Sequence, residues 1–229
     1  QMARKVAHEI KNPLTPIAVS VADLKRSYEM KRDDFPQILD QAVRTIAEEV
    51  ETMKRLLHEF ADFARFPPPR LAPCLLSTLL ADLETLYGRD VAEGRLAVSR
   101  PDGEVTFSAD AGQMRQALVN LIKNALEAVD GGGRVTLSAA IERDALALAV
   151  ADTGPGLTAE QRANLFVPGF TTKTHGSGLG LTIVERIVSE HRGTITVEAG
   201  VESGTTFRIR LPLERSTAAR LEPGGAQGT

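Results

Sequence analysis

The 229-residue chain has no Trp, only two Tyr and eight Phe, and a single cysteine, Cys74. So few aromatics leave no base-stacking platform for single-stranded nucleic acid. One cysteine excludes an internal disulfide framework and any cysteine-rich zinc site. The four histidines, at 8, 58, 175 and 191, show no metal-ligand spacing such as H-E-x-x-H. A dominant charge is lacking too, since 27 Lys plus Arg against 30 Asp plus Glu give a net charge of −3. That balance argues against a surface built to coat nucleic acid or an anionic membrane. No apolar run is long enough to span a bilayer, and no signal peptide is recognisable. Apolar residues make up 42% and charged residues 25%, which suits a globular protein of one large or two small domains. Gln1 stands almost inside a helical pattern, so the chain reads as a piece of a longer protein.

Apolar residues recur every three or four positions at Met2, Val6, Ile10, Leu14, Ile17, Val21, Leu24 and Tyr28, which predicts a helix over 2–30. The charged stretch 29–34, ending at Phe35-Pro36, reads as a turn. Leu39, Val43, Ile46, Val50, Met53, Leu57, Phe60 and Ala64 then predict a second helix. Two long helices joined by a short loop form an antiparallel hairpin, and one hairpin cannot bury both stripes. Pairing two copies gives a four-helix bundle, so a homodimer through residues 1–66 is expected; packing against another part of the chain is the alternative. Pro67-Pro68-Pro69 ends the second helix as a stiff spacer and marks the domain boundary.

Beyond it the pattern is mixed. Helices are predicted over 75–88, 110–129 and 179–191, and strands over 95–99, 104–108, 135–141, 146–150, 194–198 and 205–211. Helices on one face of a largely antiparallel sheet make an α+β sandwich over 70–213. Residues 214–229, with Gly, Pro and few large apolar groups, are expected to be a disordered tail.

Four segments carry chemistry. The first is His8-Glu9-Ile10-Lys11-Asn12-Pro13-Leu14-Thr15-Pro16. His8 falls between stripe positions and should point away from the bundle core. Pro13 and Pro16 each remove a helical hydrogen bond, from the carbonyls of Glu9 and Asn12, at a cost of about 3 kcal/mol apiece. Glu9 is placed to take a proton from an imidazole that attacks an electrophile. Asn12 shares the His8 face at i+4 and is able to position a water or a transferred group. A solvated surface histidine beside a kinked helix is the plainer reading. The second segment places Asn120 and Asn124 on one helix face, expected to lie opposite the apolar stripe. Neutral amide oxygens suit Mg²⁺, although ordinary polar surface looks the same.

The third, Asp152-Thr153-Gly154-Pro155-Gly156, sits where a strand ends. Its carboxylate can accept from an exocyclic amine such as that of adenine, and its glycines allow close backbone approach. The fourth, Gly176-Ser177-Gly178-Leu179-Gly180, opens a helix and favours phosphate; no Gly-Lys-Ser/Thr follows, so it is not a Walker loop. Between them, Leu165–Lys173 suggests a mobile lid whose Thr171, Thr172 and Lys173 reach toward phosphates.

Taken in order, His8-Glu9-x-x-Asn12-Pro13, Asn120-x-x-x-Asn124-Ala125, Asp152-x-Gly154-x-Gly156, Phe166/Phe170 and Gly176-x-Gly178-x-Gly180 resemble the catalytic core of a bacterial sensor histidine kinase. The match runs over residues 2–213. The wording H-E-I-K-N-P-L-T-P-I, the segment F-A-D-F-A-R at 60–65 and F-T-T-K resemble the NtrY-type nitrogen sensors. The resemblance implies a dimerisation and phosphoacceptor hairpin followed by a Bergerat-type ATP-binding fold. It makes His8 the phosphorylated residue, Glu9 its general base, and Asn12 the position associated with dephosphorylating a partner regulator. It implies ATP and Mg²⁺, with Asn124 and Asn120 on the metal and Asp152 on adenine. Gly154, Gly156, Gly176, Gly178, Leu179 and Gly180 would shape the nucleotide pocket and its lid, and Thr206 would reach adenine through water. A receiver domain of a response regulator would dock near His8. The full protein would be an inner-membrane sensor, anchored through segments that precede this cytoplasmic piece.

One departure matters. Many such kinases carry Lys or Arg three residues after the second Asn, where this chain has Glu127. Lys123 or Lys173 is then the candidate phosphate contact, beside Thr172. Two other readings remain at this point: an ATP hydrolase of the wider Bergerat superfamily, and a nucleotide-binding scaffold without catalysis. Hydrolases of that superfamily carry a water-activating Glu four residues before the magnesium Asn, and here that residue is Asn120.

Overall fold

The computed structural model describes residues 2–64, 67–130, 132–171, 178–200 and 203–213; of residues 2–9, 55 and 58–64 it describes the backbone only. The expected tail at 214–229 lies outside the described residues. Two compact units result. Of the described residues, the first holds those within 2–68 and 157–187, and the second those within 69–156 and 188–213.

The first unit is built on a helical hairpin, α1 (Met2–Glu29) and α2 (Phe35–Ala64). Helix α1 runs through both Pro13 and Pro16 without interruption. The Thr15 hydroxyl donates to the Lys11 carbonyl at 3.3 Å, a side-chain bond in the stretch where the prolines supply no N–H. The turn closes with Lys31 at φ 50° and the Arg32 N–H on the Ser27 carbonyl.

The expected single stripe on each helix splits in two. In α1, Ile10, Pro13, Ile17, Ser20, Leu24 and Ser27 are covered, while Leu14, Val21 and Tyr28 are exposed. In α2, Ile38, Ala42, Ile46 and Met53 are covered, while Leu39, Val43, Val50 and Leu57 are exposed. The uncovered lines 14-21-28 and 43-50-57 repeat every seven residues, a heptad spacing. The same unit contains α6 (Ala159–Asn164), started by a capping box between Thr158 and Gln161. It also contains most of α7 (Gly180–Glu190).

The second unit contains β1 (Ala72–Leu75), α3 (Leu76–Leu86), α4 (Gly88–Ala92), β2 (Leu96–Ser99), β3 (Thr106–Ala109), α5 (Ala111–Ala128), β4 (Val135–Glu142), β5 (Ala145–Asp152), β6 (Thr194–Ala199) and β7 (Thr205–Pro212). The main sheet has the order β2-β4-β5-β7-β6. It is antiparallel except where β2 runs parallel to β4. The strand expected at 104–108 does not join it. As β3, it pairs instead with β1 in a separate two-stranded ribbon.

Helix α5 lies on β4 and β5. It buries Met114, Leu118, Leu121, Ile122 and Ala125. Strands β4, β5 and β7 present Val135, Leu137, Leu146, Leu148, Val150, Phe207 and Ile209 as buried residues. In β4 and β7 most of the buried residues fall on alternate positions, the period-2 pattern of a sheet with one covered face, whereas central β5 also buries the small side chains of Ala147 and Ala149.

Candidate functional site

The second unit assembles an acidic turn beside a polar helix margin. Helix α5 begins at Asp110, whose Oδ1 accepts the Gln113 N–H at 3.1 Å. Asn120 and Asn124 are half-buried, at the margin of the buried stripe. This corrects the expectation that they lie opposite it: at 100° per residue they flank the Ala117/Leu121 line rather than face away from the core. Lys123 and Glu127 are exposed. The Tyr87 hydroxyl donates to the Val119 carbonyl at 3.3 Å, next to Asn120. Burial pushes the Tyr87 hydroxyl up, with Asp90 and Glu127 adding to the rise.

Asp152 closes β5 and is only 7% exposed. Its Oδ1 accepts two backbone N–H groups, from Gly154 at 2.8 Å and Thr205 at 3.2 Å. Among the described residues no donor is directed at Oδ2. Burial raises the carboxyl above its ordinary value, and the Gly154 and Thr205 bonds only partly offset this. One oxygen therefore ties the end of β5 to the Gly154 and Thr205 backbone. The next residue is tied down as well: Arg134 donates its N–H to Thr153 Oγ1 at 2.9 Å, and the Thr153 N–H returns to the Arg134 carbonyl.

Glycine is required at Gly204, which has φ +91° and presses its α-carbon onto the Asp152 carbonyl, leaving no room for a side chain. Gly154 is tight as well, since a Cβ there would sit 2.9 Å from the Ala128 carbonyl. Gly156, at φ +78°, approaches the Gly204 carbonyl.

The register places the two neighbouring threonines on opposite faces. Thr206 pairs with Ala151 and Glu198, so its side chain lies on the sheet face opposite Asp152. Thr205 stands on the Asp152 face and is 5% exposed. Sequence reading passed over Thr205 because a one-residue shift of register exchanges the two faces.

In the first unit, the Leu165–Phe170 stretch and the glycine motif are held together by main chain. The Gly169 N–H donates to the Gly178 carbonyl at 3.0 Å, and the Phe170 N–H to the Val167 carbonyl. Gly178 has φ +66°, and its α-carbon abuts the backbone of Gly169 and Phe170, which excludes any side chain. The Thr182 hydroxyl donates to the Phe166 carbonyl at 3.3 Å. Leu179 is buried, and Gly180 is the first residue of α7. Thr172, Lys173 and Gly176 lie outside the described residues. His8 and Glu9 lie on the α1 backbone, with side chains outside the description, and Asn12 is exposed one turn later.

Residues 1–68 match the family model described as His Kinase A (phospho-acceptor) domain. Residues 109–215 match the model described as Histidine kinase-, DNA gyrase B-, and HSP90-like ATPase. The chain belongs to the sensor histidine kinases. Among members of that family, the nitrogen regulation protein NtrY of Azorhizobium caulinodans is 36% identical over 98% of this chain and 30% of the relative. The sensor histidine kinase ZraS of Escherichia coli is 31% identical over 98% of this chain and 47% of the relative. The chain thus spans less than half the length of these curated histidine kinases. Histidine kinase ThkA, solved in complex with the response regulator protein TrrA, is 26% identical, with a TM-score of 0.74 over 93% of this chain and 61% of the ThkA chain.

Proposed function

We propose that this chain is the ATP-dependent autokinase core of a two-component sensor. The observation that carries the reading is Asp152. It is a buried carboxylate whose Oδ1 is fully engaged by two main-chain N–H groups while Oδ2 stays available for an exocyclic amine. The ATPase family match over 109–215 supports treating residues 70–213 as the ATP-binding domain.

In this reading Asp152, with Thr205 in place of Thr206, receives adenine. Gly154 and Gly156 shape the adenine side, and Gly176, Gly178, Leu179 and Gly180 the phosphate side, with Thr172 and Lys173 or Lys123 contacting phosphate. The two half-buried amides Asn120 and Asn124 fit Mg²⁺, which binds neutral oxygens and keeps waters and phosphate oxygens as its other ligands. Magnesium would supply charge neutralisation on the phosphates there. Nε2 of His8 attacks the γ-phosphorus, a P–N bond forms, the bond to the β-phosphate oxygen breaks, and ADP leaves. Glu9 takes the imidazole proton. The phosphoryl group then passes to an aspartate of a response regulator docked near His8, and Asn12 positions the water that later hydrolyses the regulator's phospho-aspartate to free aspartate and inorganic phosphate. The ThkA–TrrA complex supports such a partner.

The exposed heptad lines at Leu14, Val21, Tyr28 and Val43, Val50, Leu57 support a second copy of the hairpin as the dimer partner. No described helix is long and apolar enough to cross a membrane. ATP and response regulators are intracellular reactants, so we place this piece on the cytoplasmic side of a membrane-anchored sensor.

The test is incubation with γ-labelled ATP. Wild type should take up label that is lost in acid and stable in base, and His8→Gln should take up none. Label persisting in His8→Gln, or surviving acid, would overturn the reading. ATP hydrolysis without labelled protein would favour the hydrolase alternative.

A further inference from the structure

Hydrogen bonds from three different stretches of chain meet at Asp110. Its Oδ1 caps α5 through the Gln113 N–H. Its Oδ2 accepts the Arg70 N–H at 3.0 Å, from 40 positions away in sequence. Its own N–H donates at 2.9 Å to Nε2 of His191, which follows α7 and is 4% exposed. Arg70 comes directly after Pro67-Pro68-Pro69. Proline has no N–H, so Arg70 carries the first amide donor after the spacer, and that donor goes to this carboxylate. The ribbon register makes the same connection: Ala72, the first residue of β1, pairs with Ala109, the last of β3. The end of the spacer and the start of α5 are therefore side by side.

We propose that Asp110 is a positioning residue that latches the proline spacer to the first turn of α5, so that load on the spacer reaches the helix carrying Asn120 and Asn124. A helix cap needs one oxygen, and Ser, Thr or Asn would satisfy Gln113 as well. The second oxygen is what the spacer uses. An asparagine there would keep the cap but turn an NH₂ group toward the Arg70 N–H. His191 holds the Asp110 backbone from a third side, so the carboxylate is not free to follow the spacer. The consequence for catalysis rests on the kinase reading above, whereas the latch itself does not.

The test uses the full chain with Arg70→Pro, which deletes the donor, Asp110→Ser, which keeps a cap but loses the reach, and the double variant. Hydrogen exchange at the Gln113 and Met114 amides and along the β1–β3 ribbon should quicken by roughly tenfold in each single variant. The double should be no faster than the faster single, and β4–β5 amides should not change. In phosphorylation assays the KM for MgATP should stay within about twofold while kcat changes about fivefold or more in both singles, a split that simple loss of folding would not give. Unchanged exchange at the start of α5 in Arg70→Pro, or independent multiplying effects of the two substitutions, would overturn the latch. If Arg70→Pro does not fold, Asp110→Asn against Asp110→Ser carries the same comparison, with both expected to lose the latch and keep the cap. A wild type that takes no label defeats the kinase reading, and exchange still decides the latch.

Discussion

Helix α5 and the hairpin helices are written in the same apolar code but end in different states. Along α5, Met114, Leu118, Leu121 and Ile122 are at most 1% exposed. Along α1 and α2, Val21, Val43 and Leu57 are each more than half exposed. In α5 one stripe meets one sheet of the same chain. In the hairpin each helix carries two stripes, and among the described residues only one of them is covered. The comparison teaches that an amphipathic pattern specifies burial without saying which molecule provides it. It also separates two kinds of site: the Asp152 turn is braced by main chain within its own unit, whereas the His8 segment sits on a helix that also carries an exposed apolar line.

The largest expected effect breaks the hairpin side. Val43→Glu with Val50→Glu puts charge into the uncovered seam of α2, and desolvating such charges costs several kcal/mol. The dimer dissociation constant, read by light scattering across a dilution series, should rise by about 100-fold or more. The second unit should keep its nucleotide affinity. A dimer that persists would show that the exposed lines are ordinary surface.

Asp152→Asn sharpens the other side. The amide still offers an oxygen to the Gly154 and Thr205 N–H groups but presents a donor where the proposed adenine contact needs an acceptor. Titration with a fluorescent ATP analogue should show a loss of about 100-fold, or roughly 3 kcal/mol. Stability of the unliganded chain should not fall. Because burial raises the folded-state pKa of Asp152, its charge opposes folding above that value. Replacing it should raise the melting temperature slightly at pH 7, and the gain should vanish as pH drops toward the unfolded value near 3.9.

Asp110 has the reverse sign. Burial pushes its carboxyl up, but the N–H groups of Arg70, Gln113 and Gly112, with His191, hold it below the ordinary range. Its contribution is present above pH ~3.9 and is lost as pH falls through the lower folded value.

Smaller effects separate neighbours. Thr205→Val should weaken nucleotide binding about tenfold by removing a hydroxyl on the Asp152 face, and Thr206→Val by less than about twofold. His191→Ala strands the Asp110 N–H and should cost about 1–2 kcal/mol in urea unfolding, with nucleotide affinity retained.

Much of this was legible in sequence, and the limits have a physical origin. The helices of the hairpin and α5 showed themselves by period, and the β4–β5 hairpin by alternation about Arg143-Asp144, where Arg143 takes φ 58°. The phosphoacceptor, asparagine and glycine motifs stood out by their order. Strand β1, four residues with Pro73 inside, has no local strand signal and exists because β3 pairs with it. The parallel pairing of β2 with β4, the split of each hairpin stripe, and the choice of Thr205 over Thr206 depend on partners far along the chain. The Asp110 junction joins residues 70, 110 and 191, a relation that no spacing rule encodes.

The central claim, that the imidazole at position 8 receives the γ-phosphoryl group, is tested most directly by locating that group. Trypsin cleaving after Lys5 and Lys11 releases the peptide Val6–Lys11, whose histidine is His8. After incubation with MgATP and digestion at alkaline pH, mass spectrometry should find one added phosphoryl on this peptide, lost on brief acid treatment. An unmodified Val6–Lys11 peptide alongside phosphate on any other segment would contradict the account.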